Sequence, residues 1–307
     1  MDNILANPSG LPKIIVSHTD IQRHVARFTL ALDSAADLGG KVTHINMFER
    51  DLERLRGSVE STWTHDVELN LTGARLYLYA HIFVGRRRGG GAAGQTGRQL
   101  LEDSGARNIV FAGLTAAVKY IHSFRGPEDV SESPSTNRHW SYPHHYWRTL
   151  ALASFYLLKI LALASDIPEA EQELARNHLT KAYDTFVSLP NLIETMAVAH
   201  TIELLVQTTT GVSTESKVST RMGASIIYDG LLTFSQVQKA KSAGKLPQGE
   251  TETAWPSIGS PEMSTTASTG GYDEFEGAFS LAEFLSADWE LPWDANFFDI
   301  GSDVLDR

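Results

Sequence analysis

The run Thr149 to Ala164 (TLALASFYLLKILALA) is the longest apolar stretch in the chain, and Lys159 interrupts it. It falls short of the roughly 20 apolar residues that a bilayer-spanning helix needs, so it reads as a helix buried inside a protein. Such a helix needs other elements around it, and the flanking sequence supplies them. Asp20 to Leu38 places Ile21, Val25, Phe28 and Leu32 at three- and four-residue steps, with Gly39-Gly40 as a stop signal. Ile45 to Val59 repeats the pattern through Phe48, Leu52 and Leu55, and Glu49, Arg50, Asp51, Glu53, Arg54 and Arg56 take the remaining faces of an ordinary amphipathic helix. Further helices are predicted over Val67 to Val84, Arg98 to Phe124, Tyr146 to Ala164, Pro168 to Leu189 and Leu192 to Thr208. No run alternates as a strand would, so an all-α body is expected.

Four regions follow. Residues 1–19 form an N-terminal extension and residues 20–244 a helical domain. Residues 245–271 (KLPQGETETAWPSIGSPEMSTTASTGG), rich in Ser, Thr, Gly and Pro, read as a flexible linker. Residues 272–307 read as a disordered acidic tail. The chain has no cysteine, which excludes a disulfide framework, a thiolate zinc site, an iron–sulfur cluster and a cysteine nucleophile within it. Met1 to Pro12 lacks the basic start and apolar run of a secretory signal, and a soluble intracellular chain is expected.

The net charge of −11 is unevenly placed. Residues 272–307 hold ten acids against one base, Arg307, a balance of −9, whereas the preceding 271 residues are close to neutral at −2. The same tail holds eight of the 28 aromatics of the chain, which is far more than a solvated segment normally carries. Acids stand beside each apolar group, and their repulsion opposes collapse. This acidic-hydrophobic alternation is the compositional mark of activation domains that fold onto a partner. Phe275, Phe279, Ala282 and Leu285 would share one helical face, and Trp289, Leu291, Trp293, Phe297 and Phe298 form a second cluster broken by Pro292. The expected partners are coactivators or the general transcription machinery.

Other constellations point less far. Arg86, Arg87 and Arg88 open a glycine-rich segment and are a candidate nuclear-import or anion contact, weighed against a solvated loop between two apolar helices. His139, His144 and His145 stand among Trp140, Tyr142 and Tyr146, but no acid lies between Arg138 and Arg148 to complete a metal set. Aromatic packing at the start of the apolar helix is the better reading. No catalytic signature is present, and neither an enzymatic activity nor a cofactor in this chain is expected.

Three stretches carry a resemblance. FERDLERLRGSVESTWTHDVELNLTGARLYLYAHIF (Phe48 to Phe83), NIVFAGLTAAVKYIHSF (Asn108 to Phe124) and YPHHYWRTLALASFYLLKILA (Tyr142 to Ala162) resemble the regulatory domain of fungal zinc-binuclear-cluster transcription factors. The acidic aromatic end, with LPWD at Leu291 to Asp294, resembles the ends of several members. The resemblance implies a nuclear regulator of RNA polymerase II-dependent genes, most simply an activator, acting as a homo- or heterodimer. It departs from the family where DNA is bound. The six-cysteine cluster that holds two zinc ions has no counterpart in a cysteine-free chain, so zinc belongs to a missing module. DNA would be reached only through that module or a partner. The alternatives are an all-α enzyme or small-ligand-binding protein built on the Tyr142 to Arg148 aromatics, and a truncated regulator acting as a dominant inhibitor.

Overall fold

A computed structural model describes residues 12–35, 37–58, 64–84, 97–126, 142–163, 166–188, 193–207 and 225–242, and every regular element within them is helical. In chain order these are α1 (Lys13–Ser34), α2 (Leu38–Ser58), α3 (His65–Ala80) with a 3₁₀ turn at His81–Phe83, α4 (Gly97–Glu102), α5 (Ser104–Arg125), α6 (His144–Ala162), α7 (Glu169–Val187), α8 (Ile193–Gln207) and α9 (Ser225–Ser242). The all-α expectation holds for the described residues. No helix among them is long and apolar enough to cross a membrane. The linker and the acidic tail lie outside the described residues.

The apolar run forms α6, and α6 is the centre of the packing. Helices α3, α5, α7, α8 and α9 all pack against it, while α1 and α2 reach the core through α3 and α5. Every residue from Thr149 to Leu161 is buried. At about 1.5–3 kcal/mol for each large apolar side chain withdrawn from water, this run contributes substantially to folding. Its small polar residues satisfy themselves: the Thr149 hydroxyl donates to the His145 carbonyl and that of Ser154 to the Leu150 carbonyl, both at 2.9 Å. The Tyr156 hydroxyl donates to the Val110 carbonyl of α5 at 3.2 Å.

Close approach to α6 is made possible by glycine. Gly113 of α5 lies against the Tyr156 ring and Gly230 of α9 against the Phe155 ring, and a Cβ at either position would overlap the aromatic atoms. Lys159, only 4% exposed, meets Asp229 of α9, 3% exposed, with Nζ 3.4 Å from Oδ2. The single cation of the apolar run is therefore a cross-link between helices.

Several boundaries differ from the sequence expectations. Helix α1 begins at Lys13, so residues 13–19 belong to the helical body and not to an extension. Gly39 and Gly40 do not stop α1. The chain leaves the helix at Ala35, whose backbone is extended, and the glycines lie in the first turn of α2, where the Asp37 carboxylate accepts from the Gly40 amide at 2.8 Å. The single helix expected over Arg98 to Phe124 is two, because Asp103 turns extended and caps α5 by accepting from the Ala106 amide at 2.8 Å. Helix α9 was not expected at all. Asp229 and Gly230 interrupt its apolar pattern, and both are the residues that face α6.

Removing one partner of the buried pair should be severe while removing both should not. Lys159→Met or Asp229→Leu alone is expected to cost about 3–5 kcal/mol, and the double variant to return to within about 1 kcal/mol of the parent, because an uncompensated buried charge is worse than an apolar pair. Urea denaturation midpoints at constant m-value measure this. Single variants each within about 0.5 kcal/mol of the parent would show that the pair does not hold α9.

Candidate functional site

The partner-binding residues that the sequence singles out, Phe275, Phe279, Leu285, Trp289, Leu291, Trp293, Phe297 and Phe298, lie outside the described residues, as do Arg86, Arg87 and Arg88. So do His139 and Trp140. What the structure does assemble is the start of α6, where Tyr142 to Arg148 meet α1, α3, α5 and α7.

Aromatic rings dominate one side of this junction. Phe124 of α5 sits between Tyr142 and Trp147, edge-on to both at 5.0 and 4.7 Å between centroids, and Trp147 continues to Phe186 of α7 at 6.2 Å. Tyr142 and Tyr146 meet edge-on at 5.8 Å. Such pairs add about 0.5–1.5 kcal/mol beyond their area. The Tyr120 hydroxyl donates to the Tyr146 carbonyl at 2.9 Å, serving an acceptor in the first turn of α6, and the Tyr146 hydroxyl donates to the Asp66 carbonyl of α3 at 3.3 Å. Burial pushes the Tyr120 and Tyr146 phenols well above their ordinary range. They act as hydrogen-bond donors, not acids. The expectation of aromatic packing at this point is met by Tyr142 and Tyr146, and Phe124, Trp147 and Phe186 extend it.

The other side is polar and histidine-rich. His18 of α1 and His145 of α6 lie near one another, with Asp66 facing His18 and His144 and Arg148 flanking His145. Burial lowers both imidazoles. Asp66 partly opposes the drop at His18, whereas His18, His144 and Arg148 deepen it at His145, which falls to about 4. One turn along α1, the Gln22 amide donates to Asn70 Oδ1 of α3 at 3.4 Å. His18 has no sequence signal linking it to this place, since nothing in α1 distinguishes it from a solvated histidine. Among the described residues no three His, Asp or Glu side chains are arranged to hold a metal ion.

A second polar group ties α2 to α3. Glu49 Oε1 lies 2.9 Å from the Arg75 guanidinium, Glu53 pairs with the same arginine, and the Tyr79 hydroxyl donates to Glu49 Oε2 at 2.6 Å. Two acids of the polar side of α2 are thus fixed against α3. Lys41 donates to the His81 and Val84 carbonyls, closing the end of α3 where helical acceptors run out. Full burial, with Lys41 close by, holds the His81 imidazole down at about 3.

No protein-family model matches the chain, and neither a curated protein nor a solved structure matches it. The junction sets imidazoles of lowered basicity beside fixed phenols in a packed seam, and its inter-helix hydrogen bonds are made by uncharged groups.

That chemistry predicts acid sensitivity. His18, His81 and His145 bind protons in the unfolded chain below about pH 6.5 but resist them when folded. The unfolded state then holds more protons, so stability falls as pH drops from about 6.5 toward 4. Urea denaturation across this range should show the decline, with His145→Gln flattening it. A stability that stayed level from pH 7 to about 4 would contradict the burial of neutral histidines.

Proposed function

We propose that the chain is a transcription regulator in which the helical domain carries an acidic, aromatic-rich activation tail. The observation that carries this reading is the tail composition. Within residues 272–307, a balance of −9 coincides with eight aromatics, while the rest of the chain stays near neutral. Solvated acids keep the aromatics apart and available, and long-range attraction steers the segment to a basic-rimmed groove on a coactivator. Ordering the tail on binding consumes part of the interaction energy, so each contact is weak and readily exchanged.

The all-α body supports the reading by meeting what a resemblance to zinc-binuclear-cluster regulators requires of this region. The helical patterns quoted for that resemblance fall on α2, α3, α5 and α6, four of the helices that contribute buried residues to the core. With no cysteine in the chain, no six-cysteine zinc cluster can form within it. Choice of a target gene therefore falls to a separate DNA-binding module or partner, and the place of action would be the nucleus.

The test joins the full chain to a heterologous DNA-binding domain and reads a reporter gene. Deleting residues 272–307 should remove most of the activation, and replacing Phe275, Phe279 and Leu285 together by Ala should reduce it about tenfold or more, the scale expected when apolar anchors of an interface are truncated. Reporter output indifferent to both changes, at equal protein levels, would rule out the tail as the activating element. A tethered chain that lowers output would instead mark an inhibitor.

A further inference from the structure

The junction of α5 and α7 gathers basic groups from both helices. Arg125, in the last turn of α5, donates to the Lys181 carbonyl of α7 at 3.0 Å. One turn earlier on each helix stand His122 and His178, and Lys181 and His122 lie near enough to act on the His178 ring. Arg125, His178 and Lys181 are half-buried and His122 is exposed. Among the described residues no carboxylate oxygen lies within 4.0 Å of any of the four side chains. Other junctions answer a basic group with an acid of the neighbouring helix. Arg75 of α3 meets Glu49 and Glu53 of α2, Lys119 of α5 meets Glu68 of α3, and Lys159 of α6 meets Asp229 of α9. At the α5–α7 junction the positive charge is left uncompensated, in a chain whose net charge is −11.

Each group keeps donors for a ligand. The bond to the Lys181 carbonyl uses only part of the five-donor guanidinium fork of Arg125, and it holds that fork in place beside the Lys181 side chain. His178 Nδ1 lies 3.0 Å from the Leu174 carbonyl oxygen, which can only accept, so Nδ1 carries a proton and Nε2 is the nitrogen left to a ligand. Burial lowers the His178 imidazole, the bond to Leu174 opposes the drop, and Lys181 and His122 deepen it. Helices α6 and α8 also pack on α7, and among the described residues neither presents a charged group that acts on His178. A ring held off its second proton by neighbouring positive charge takes that proton from solvent when an anion arrives, and Nε2 then becomes a donor as well.

We propose that this junction binds a phosphate group, held by the Arg125 guanidinium, the Lys181 ammonium and the His178 imidazolium, with His122 at the solvent edge. Donors that reach in from two helices suit a tetrahedral group with three or more acceptor oxygens, whereas a carboxylate offers two in one plane. The charge of about −2 on a phosphate also balances the guanidinium and the ammonium together. The site is partly open to water, so a few charge-assisted hydrogen bonds correspond to a Kd of about 1 mM for the inorganic ion. Recognition here rests on the helical body alone and is independent of what the acidic tail does.

The test titrates inorganic phosphate into the full chain and follows backbone amide and imidazole NMR signals, with potassium chloride matching the ionic strength. Saturable shifts are expected at Arg125, His178 and Lys181. Saturating phosphate should also raise the His178 titration midpoint by about half a pH unit or more, which by linkage is a roughly threefold preference of phosphate for the charged ring. Lys181→Met with His122→Gln should weaken binding about tenfold, Lys181→Gln alone about threefold, and Arg107→Gln in the first turn of α5 should leave it unchanged. Unchanged core amide shifts in each variant verify the fold. Glycerol phosphate separates the sources: tighter binding than inorganic phosphate assigns the site to a phosphate ester, and weaker binding assigns it to the free ion. Shifts that never saturate, that chloride reproduces, or that keep the same Kd in the double variant would overturn the proposal. So would a His178 midpoint that phosphate leaves in place, or succinate binding as tightly as phosphate.

Discussion

A long apolar helix with one lysine can persist only if every side of it is covered and the ammonium finds a carboxylate. Those two demands account for most of the architecture around α6. Five helices close over it, and the last of them, α9, brings Asp229 to Lys159. The ion pair adds little net stability over an apolar pair, because desolvating two charges offsets most of their attraction. What it does supply is register. Asp229 and Gly230 are adjacent, so the position that pairs the charge also places the glycine against Phe155, and sliding α9 by a residue would lose both.

Covering the outer helices follows a different rule. Between α2 and α3 the joining groups are polar: Arg75 collects Glu49 and Glu53, and Tyr79 donates to Glu49. Between α1, α3 and α6 they are an amide pair and a buried phenol, with the half-buried imidazoles of His18 and His145 beside them. The centre is therefore held mainly by apolar area, with the Lys159–Asp229 pair inside it, and the periphery by groups whose charge state changes nearer neutrality. Acid should loosen α1 and the start of α6 before it reaches the α5–α6 crossing at Gly113 and Tyr156.

Much of this was legible beforehand, for an identifiable reason. Periodicity reports burial on one face, and α1, α2 and α5 bury one main face each, so Ile21, Val25, Phe28 and Leu32 were readable as core, whereas α3 is buried nearly all round. Lys159 was also readable as an interruption inside a buried helix, but its partner was not, since 70 residues separate the two. Helix α9 escaped because the residues that break its pattern are those that fit it to α6. The glycines after α1 misled for a related reason: glycine marks a helix end only where it must adopt a special conformation, and Asp37 makes a start of Gly39-Gly40 instead. His18 could not be associated with Asp66 and His145, because a seam of three helices leaves no local trace in any of them.

The tail poses the opposite case, since composition alone carries it. Its physical meaning lies in contrast with the body. A near-neutral helical body and an acidic aromatic segment of −9 stand on one chain. Periodicity carries the first because burial selects residues at every third or fourth position, and charge placement carries the second because repulsion between neighbouring acids opposes collapse of the apolar groups between them.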